Sequence, residues 1–130
     1  MASIHREIAI EATAEAVWDA VRDVGALHTR LVPGFVVDTR LEPEARVVRF
    51  GNGMEARELI VDVDDTAQRI VWSIVGGRPT HHNGSMQIVA EGPQRCRAVW
   101  IADLLPHELA PEIDGMMQQG LQVMKQTLER

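Results

Sequence analysis

Glu58 stands in the run Met54-Glu55-Ala56-Arg57-Glu58-Leu59-Ile60, and it has more chemistry open to it than any other polar residue here. If Ala56 and Ile60 face a core, the two-residue period of a strand turns Glu58 inward with them. A carboxyl group among apolar side chains is driven towards its neutral form and can act as acid, base or hydroxyl acceptor. On the other reading, Glu58 is a rim or surface carboxylate paired with Arg57, Arg69 or Lys125. His81 and His82 follow Gly76-Gly77-Arg78-Pro79, where free glycines stand beside a rigid proline, as in a gate or a plain hairpin loop. A histidine at a pocket mouth titrates near neutrality and can donate or accept. Strand alternation turns His82 in and His81 out; the plainer alternative for both is a solvated strand end. Acid–base catalysis, if the chain performs any, therefore falls to Glu58 and His82.

Other reactive types lead nowhere. Cys96 has Arg95 and Arg97 beside it but no histidine at a useful spacing, so a small buried or strand-start residue is expected. Ser73, Thr80 and Ser85 sit in nothing like a nucleophile elbow. No cysteine–histidine spacing reads as a zinc site, and Gly51-Asn52-Gly53 reads as a hairpin rather than a phosphate loop. Neither a metal nor an organic cofactor is expected.

These residues must be positioned by a predictable order of elements. Ile4, Arg6, Ile8 and Ile10 alternate with His5, Glu7 and Ala9 as a half-buried strand. Thr13 suits an N-cap, and Val17, Trp18 and Val21 make the buried side of a helix ending near Asp23 to Gly25. A second short helix, Ala26 to Leu31, is stopped by Pro33-Gly34. From Gly34 to Leu105 the pattern is of about six antiparallel strands. Phe35, Val37, Thr39 and Leu41 share one face. Pro43-Glu44 turns the chain into Arg46 to Phe50. Asn52-Gly53 predicts a type I′ hairpin with positive φ at both central residues. Met54 to Val63, Arg69 to Val75, His82 to Ala90 and Cys96 to Leu104 complete the set.

The final stretch, His107 to Arg130, carries Leu109, Ile113, Met116, Met117, Gly120, Leu121, Met124 and Leu128 on one wide helical stripe. Without alternating crossover helices the sheet must be antiparallel, and a twisted sheet of this size curls. The expected class is α+β: a curved antiparallel sheet wrapped around a long C-terminal helix, with two short helices after strand 1. Its inward faces are Ile70, Trp72 and Ile74; His82, Gly84, Met86 and Ile88; and Cys96, Ala98, Trp100, Ala102 and Leu104. Trp100 and Asp103 cannot share a face, so Trp100 is assigned to the wall and Asp103 to solvent.

Bulk properties narrow the classes. The 130 residues suit one domain, 1–130, able to build a core without staples. Thirteen basic against nineteen acidic residues, net charge -6, oppose a nucleic-acid or anionic-membrane surface. A lone cysteine allows no internal disulfide, and neither a signal peptide nor a membrane span is apparent, so a cytoplasmic protein is expected. A homodimer through an edge strand or the first helix is left open.

Several segments resemble the helix-grip fold of the START-like, or SRPBCC, superfamily. They are Ile8-Ala9-Ile10-Glu11-Ala12 with Ala16-Val17-Trp18-Asp19, then Gly51-Asn52-Gly53, Glu58 before Asp64-Asp65, Trp100 with Pro106, and Gly120-Leu121 with Met124-Lys125. The chain most resembles the bacterial polyketide cyclase/dehydrase branch. Ser73-Ile74-Val75-Gly76-Gly77 is also similar to the strand and gate loop of plant abscisic-acid receptors. The resemblance implies a cavity between sheet and helix for a small apolar molecule, with a polar anchor near Glu58. The ligand contacts expected are Phe35, Val37, Trp72, Ile74, Met86, Trp100, Ile113, Met117 and Leu121. Three functions follow from it: binding of a small hydrophobic or aromatic molecule, a polyketide cyclase or dehydratase using Glu58 or His82, and a lipid or quinone carrier working with a protein partner. Sparse polar residues without a paired acid and base favour binding. A solid core filled by the same Met and Trp side chains is the structural alternative.

Overall fold

The alternating stretch at the N-terminus forms β1, Ala2–Ile10, in a computed structural model that describes residues 2–129. Helix α1, Ala14–Arg22, opens on Thr13, whose Oγ1 accepts from the Ala16 backbone N–H at 3.1 Å. Its Trp18 Nε1 donates to Asp65 at 2.9 Å, and Arg22 Nε donates to the same carboxylate at 2.8 Å. The second short helix expected there is a single π-helical turn, Leu27–Leu31.

Six strands follow: β2 (Val36–Glu42), β3 (Ala45–Phe50), β4 (Glu55–Asp64), β5 (Arg69–Val75), β6 (His81–Ala90) and β7 (Cys96–Leu105). A short 3-10 turn at His107–Leu109 leads into helix α2, Ala110–Leu128. The seven strands form one antiparallel sheet in the order β1-β7-β6-β5-β4-β3-β2. Only β1 leaves sequence order, pairing with β7 from Ala2↔Leu104 to Ile10↔Cys96. The sheet curves around α2, and the architecture is the α+β helix-grip fold.

Alternation sorts the faces of the central strands as expected. On β6, His82, Gly84, Met86 and Ile88 are buried; on β7, Cys96, Ala98, Ala102 and Leu104 are. One end of the concave face is packed solid by Ile10, Val17, Trp18, Ile88, Cys96 and Ala98. Trp72 lies across Gly84, its cross-strand partner, so tightly that any Cβ there would collide with the indole.

Two local expectations need correction. The hairpin at 51–53 is present, but only Gly53 has positive φ, at 90°. Gly53 N–H donates to Phe50 O at 3.0 Å, and Phe50 N–H donates to Met54 O at 2.8 Å. This is a three-residue loop whose last residue is left-handed, a geometry that also matches strand twist. Gly51 is required for another reason: a Cβ there would stand 2.5 Å from the Gly34 carbonyl oxygen.

The second correction concerns β2. The β2–β3 register shifts between Val36 and Asp38, leaving Val37 as the extra residue of a bulge. Val36 is therefore buried opposite Phe50, while Val37 turns outward and is 46% exposed. Beyond the bulge Thr39 and Leu41 face the same side as Val48 and Arg46. Leu41 covers Gly25 but stays 59% exposed on the edge strand β2.

Candidate functional site

Between the open end of the sheet and α2 lies a cavity of about 210 Å³. Its sheet wall holds Val36, Val48, Phe50, Ile70, Trp72, Ile74, Met86 and Trp100, and Phe35 closes it beside the π-helical turn. From α2 come Ile113, Met116, Met117, Gly120 and Met124. The Trp72 and Trp100 rings meet edge to face at 6.2 Å, and Phe35 meets Phe50 likewise at 5.5 Å. Gly120 makes room for this: a Cβ there would press on Phe35 and Trp100, both at 3.1 Å.

Among the expected contacts, Phe35, Trp72, Ile74, Met86, Trp100, Ile113 and Met117 line this cavity together with Glu58 and His82. Val37 does not, because of the bulge. Leu121 does not either. One residue past Gly120 is about 100° around a helix, and Leu121 turns instead into the core beside β1, sharing a shallow depression with Ile8.

Glu58 points inward and is 5% exposed. Its partner is none of the three basic residues considered from sequence. Arg46, directly opposite on β3, donates from Nε to Glu58 Oε1 at 2.8 Å. Arg46 is itself 4% exposed. Its Nη1 donates to the Val24 carbonyl at 3.3 Å, and its guanidinium carbon lies 5.8 Å from the Trp72 ring centroid. The anionic anchor is thus half of a buried ion pair stacked against an aromatic wall, with one carboxylate oxygen held by Arg46. Arg46 was open to discovery from sequence. A hairpin centred on Asn52 sets Phe50 opposite Met54, Val48 opposite Ala56 and Arg46 opposite Glu58.

His82 is 7% exposed, and its Nδ1 has no hydrogen-bond partner among the described residues. Burial, with the neighbouring His81 adding to it, holds the imidazole below its ordinary pKa, so the neutral ring is favoured near neutrality. The rim of the cavity is formed by Met54, Glu55, the loop Gly76–Pro79 and the start of α2. Arg78 of that loop donates to Glu112 of α2 at 2.7 Å, tying the loop to the helix across the opening.

Cys96 is fully buried at the start of β7, and burial, with Glu91 and Glu15 adding to it, pushes its thiol pKa up, away from nucleophilic use. Asp103 is exposed, on the face opposite Trp100. Among the described residues no three His, Cys, Asp or Glu side chains are placed to hold a metal ion. No helix among them is long and apolar enough to cross a membrane.

Residues 1–129 match the family model described as polyketide cyclase / dehydrase and lipid transport. Against the curated proteins the sequence finds no match. Solved structures supply fold matches. An uncharacterised protein from Bacillus thuringiensis is 16% identical, with TM-score 0.90 over 99% of this chain and 100% of its own. The di-domain ARO/CYC BexL from the BE-7585A biosynthetic pathway is 14% identical, with TM-score 0.86 over 99% of this chain and 47% of its own. A START superfamily protein from Mycobacterium smegmatis is 14% identical, with TM-score 0.72 over 98% of this chain and 94% of its own. The chain therefore belongs to the polyketide cyclase / dehydrase and lipid transport family, and it shares its fold with a START superfamily protein.

Proposed function

We propose that residues 1–130 act as one cytoplasmic domain that binds a small hydrophobic or aromatic molecule in the cavity between sheet and α2. One observation carries this reading: the concave face is not filled solid but leaves about 210 Å³ walled by apolar side chains, with three buried polar residues in it. Apolar walls supply affinity by removing ligand surface from water, and a few fixed polar groups set orientation. Net charge -6 argues against nucleic acid as the partner.

The test is native mass spectrometry of freshly purified protein, followed by solvent extraction. A discrete co-purifying small molecule, or saturable binding from a panel of aromatic polyketides and fatty acids, is the expected result. An empty spectrum together with silence across the panel overturns the reading.

One observation favours a second reading, that of a cyclase- or dehydratase-like enzyme. Burial favours the neutral form of His82, the residue lines the cavity, and its Nδ1 has no partner among the described residues, as suits a general base. Glu58 is the weaker candidate because Arg46 already holds it. Catalysis predicts that His82→Ala abolishes turnover of a bound polyketide while leaving its affinity near wild type. Graded loss of affinity without any turnover in the wild type removes this reading. A carrier of lipid or quinone tails would show the same binding and no chemistry.

A further inference from the structure

The sheet ends at β1 on one side and at β2 on the other. Helix α2 ties down the first edge: Lys125 Nζ donates to the Ala9 carbonyl at 2.9 Å, and Arg6 Nε donates to Asp114 at 2.6 Å. At the second edge, β2 has one backbone bridge besides those to β3 among the described residues, between Val36 and Pro33. From Val37 onward the strand is exposed: Val37 by 46%, Leu41 by 59%, with Asp38 and Arg40 exposed as well. His28 meets the Thr39 hydroxyl at 3.1 Å, a contact to the side chain and not to the backbone. A strand edge of this kind is a template for another strand.

The hairpin fixes which registers such a strand can take. Glu42 and Ala45 flank the two-residue turn Pro43-Glu44. A turn of that length closes on a hydrogen-bonded pair, and such pairs then alternate along the ladder. The backbone groups of Glu42 and Arg40 therefore point to β3, and those of Leu41 and Thr39 point away from it. An antiparallel copy of β2 can be centred on Thr39 or Leu41. Centring on Arg40, which would set arginine against arginine and Asp38 against Glu42, offers no backbone donors.

Charge decides between the two allowed registers. Centred on Thr39, each Asp38 stands opposite Arg40 of the second copy, twice over by symmetry. This is a pair without mutual backbone bonds, where side chains stand closest. Both residues lie on the face away from α2, opposite to Arg46 and Val48. Neither forms an ion pair among the described residues. Centred on Leu41, Arg40 would meet Glu42, which Arg57 already holds at 2.9 Å, and Asp38 would meet Glu44.

We infer that β2 pairs antiparallel with β2 of a second copy of this chain, about a two-fold axis at Thr39, joined by Asp38–Arg40 ion pairs. The bulge at Val37 ends the regular stretch, so the contact is short and the dimer belongs to the small, transient class.

Sedimentation velocity over a concentration series, up to about 1 mM, reads this association. The wild type shifts from monomer towards dimer as concentration rises. Arg40→Asp sets carboxylate against carboxylate and weakens dimerisation about tenfold or more. The double substitution Asp38→Arg with Arg40→Asp exchanges the charges and restores it. The single variants Asp38→Arg and Arg40→Asp, each monomeric alone, form a heterodimer when mixed, which no folding defect imitates. A wild type that stays monomeric throughout overturns the inference. So does an Arg40→Asp variant that dimerises like the wild type, a double variant that stays monomeric, or a mixture that does not pair.

Discussion

The two buried polar sites in the cavity wall solve the same problem in opposite ways. Arg46 and Glu58 face each other across β3 and β4 and satisfy their charges internally, with Trp72 stacked beside the guanidinium. His82, two strands from Glu58 on β6, keeps its Nδ1 without a partner among the described residues. A pair that answers itself contributes to the integrity of the wall, its charges balanced within the protein. A group that is buried and unanswered weakens the protein that holds it. One cavity wall thus holds a charged pair that is answered and an imidazole nitrogen that is not, and substitutions should separate their effects.

The largest effect is expected at the ion pair. Glu58→Ala leaves the Arg46 cation buried without its counter-charge and should cost about 3–5 kcal/mol in urea unfolding. The double substitution Arg46→Met with Glu58→Leu should recover most of that loss, because an apolar pair needs no desolvation to be repaid. A double variant as unstable as Glu58→Ala would show that the pair shapes the fold by more than its charges.

Gly84→Ala comes next. It pushes the Trp72 indole off its seat, which both narrows the cavity and loosens the contact with Arg46. Overpacking of this kind costs about 1–3 kcal/mol, and ligand affinity should fall with stability. Wild-type stability in Gly84→Ala would mean that the indole has a second resting place.

His82→Leu should leave stability within about 0.5 kcal/mol of the wild type at neutral pH, or raise it, since it removes an unanswered polar group. Its clearer signature is in pH dependence. Burial lowers the folded-state pKa of His82 from its ordinary 6.5. Above 6.5 the ring is neutral in both states and contributes nothing. As pH falls below 6.5, the unfolded chain takes up the proton first, so the wild type loses stability until the folded-state pKa is also passed. Chemical denaturation across that range should show this loss reduced in His82→Leu. Identical slopes would place the imidazole in water.

The smallest effect is expected at the rim. Arg78 and Glu112 are both exposed, so Arg78→Ala should change stability by less than about 1 kcal/mol. Stopped-flow release of a bound aromatic probe should nevertheless quicken, because the loop is no longer tied to α2. An unchanged release rate would confine the ion pair to the surface.

Sequence reading succeeded where one local rule acted alone. The three-four-one spacing from Leu109 to Leu128 can be satisfied only by a helix, and β5, β6 and β7 alternate without interruption, so their inward faces were legible residue by residue. It failed where a second strand had a say. The bulge at Val37 depends on how β2 meets β3, and nothing in Phe35-Val36-Val37-Asp38 announces an extra residue. Leu121 belongs to the predicted stripe but not to the cavity, because a stripe this wide touches β1 as well as the hollow. Arg46 was half legible, through its mirror position to Glu58 about the Asn52 hairpin.

Composition and periodicity by themselves determined the α+β class, the order of elements, the long closing helix and which strand faces are apolar. They did so because these are properties of consecutive residues. The tertiary structure alone decided that the concave face keeps a cavity, that Glu58 is held by Arg46, and that His82 Nδ1 is buried without a partner among the described residues. Each of these depends on which side chains from distant segments meet, and on how much space they leave when they do.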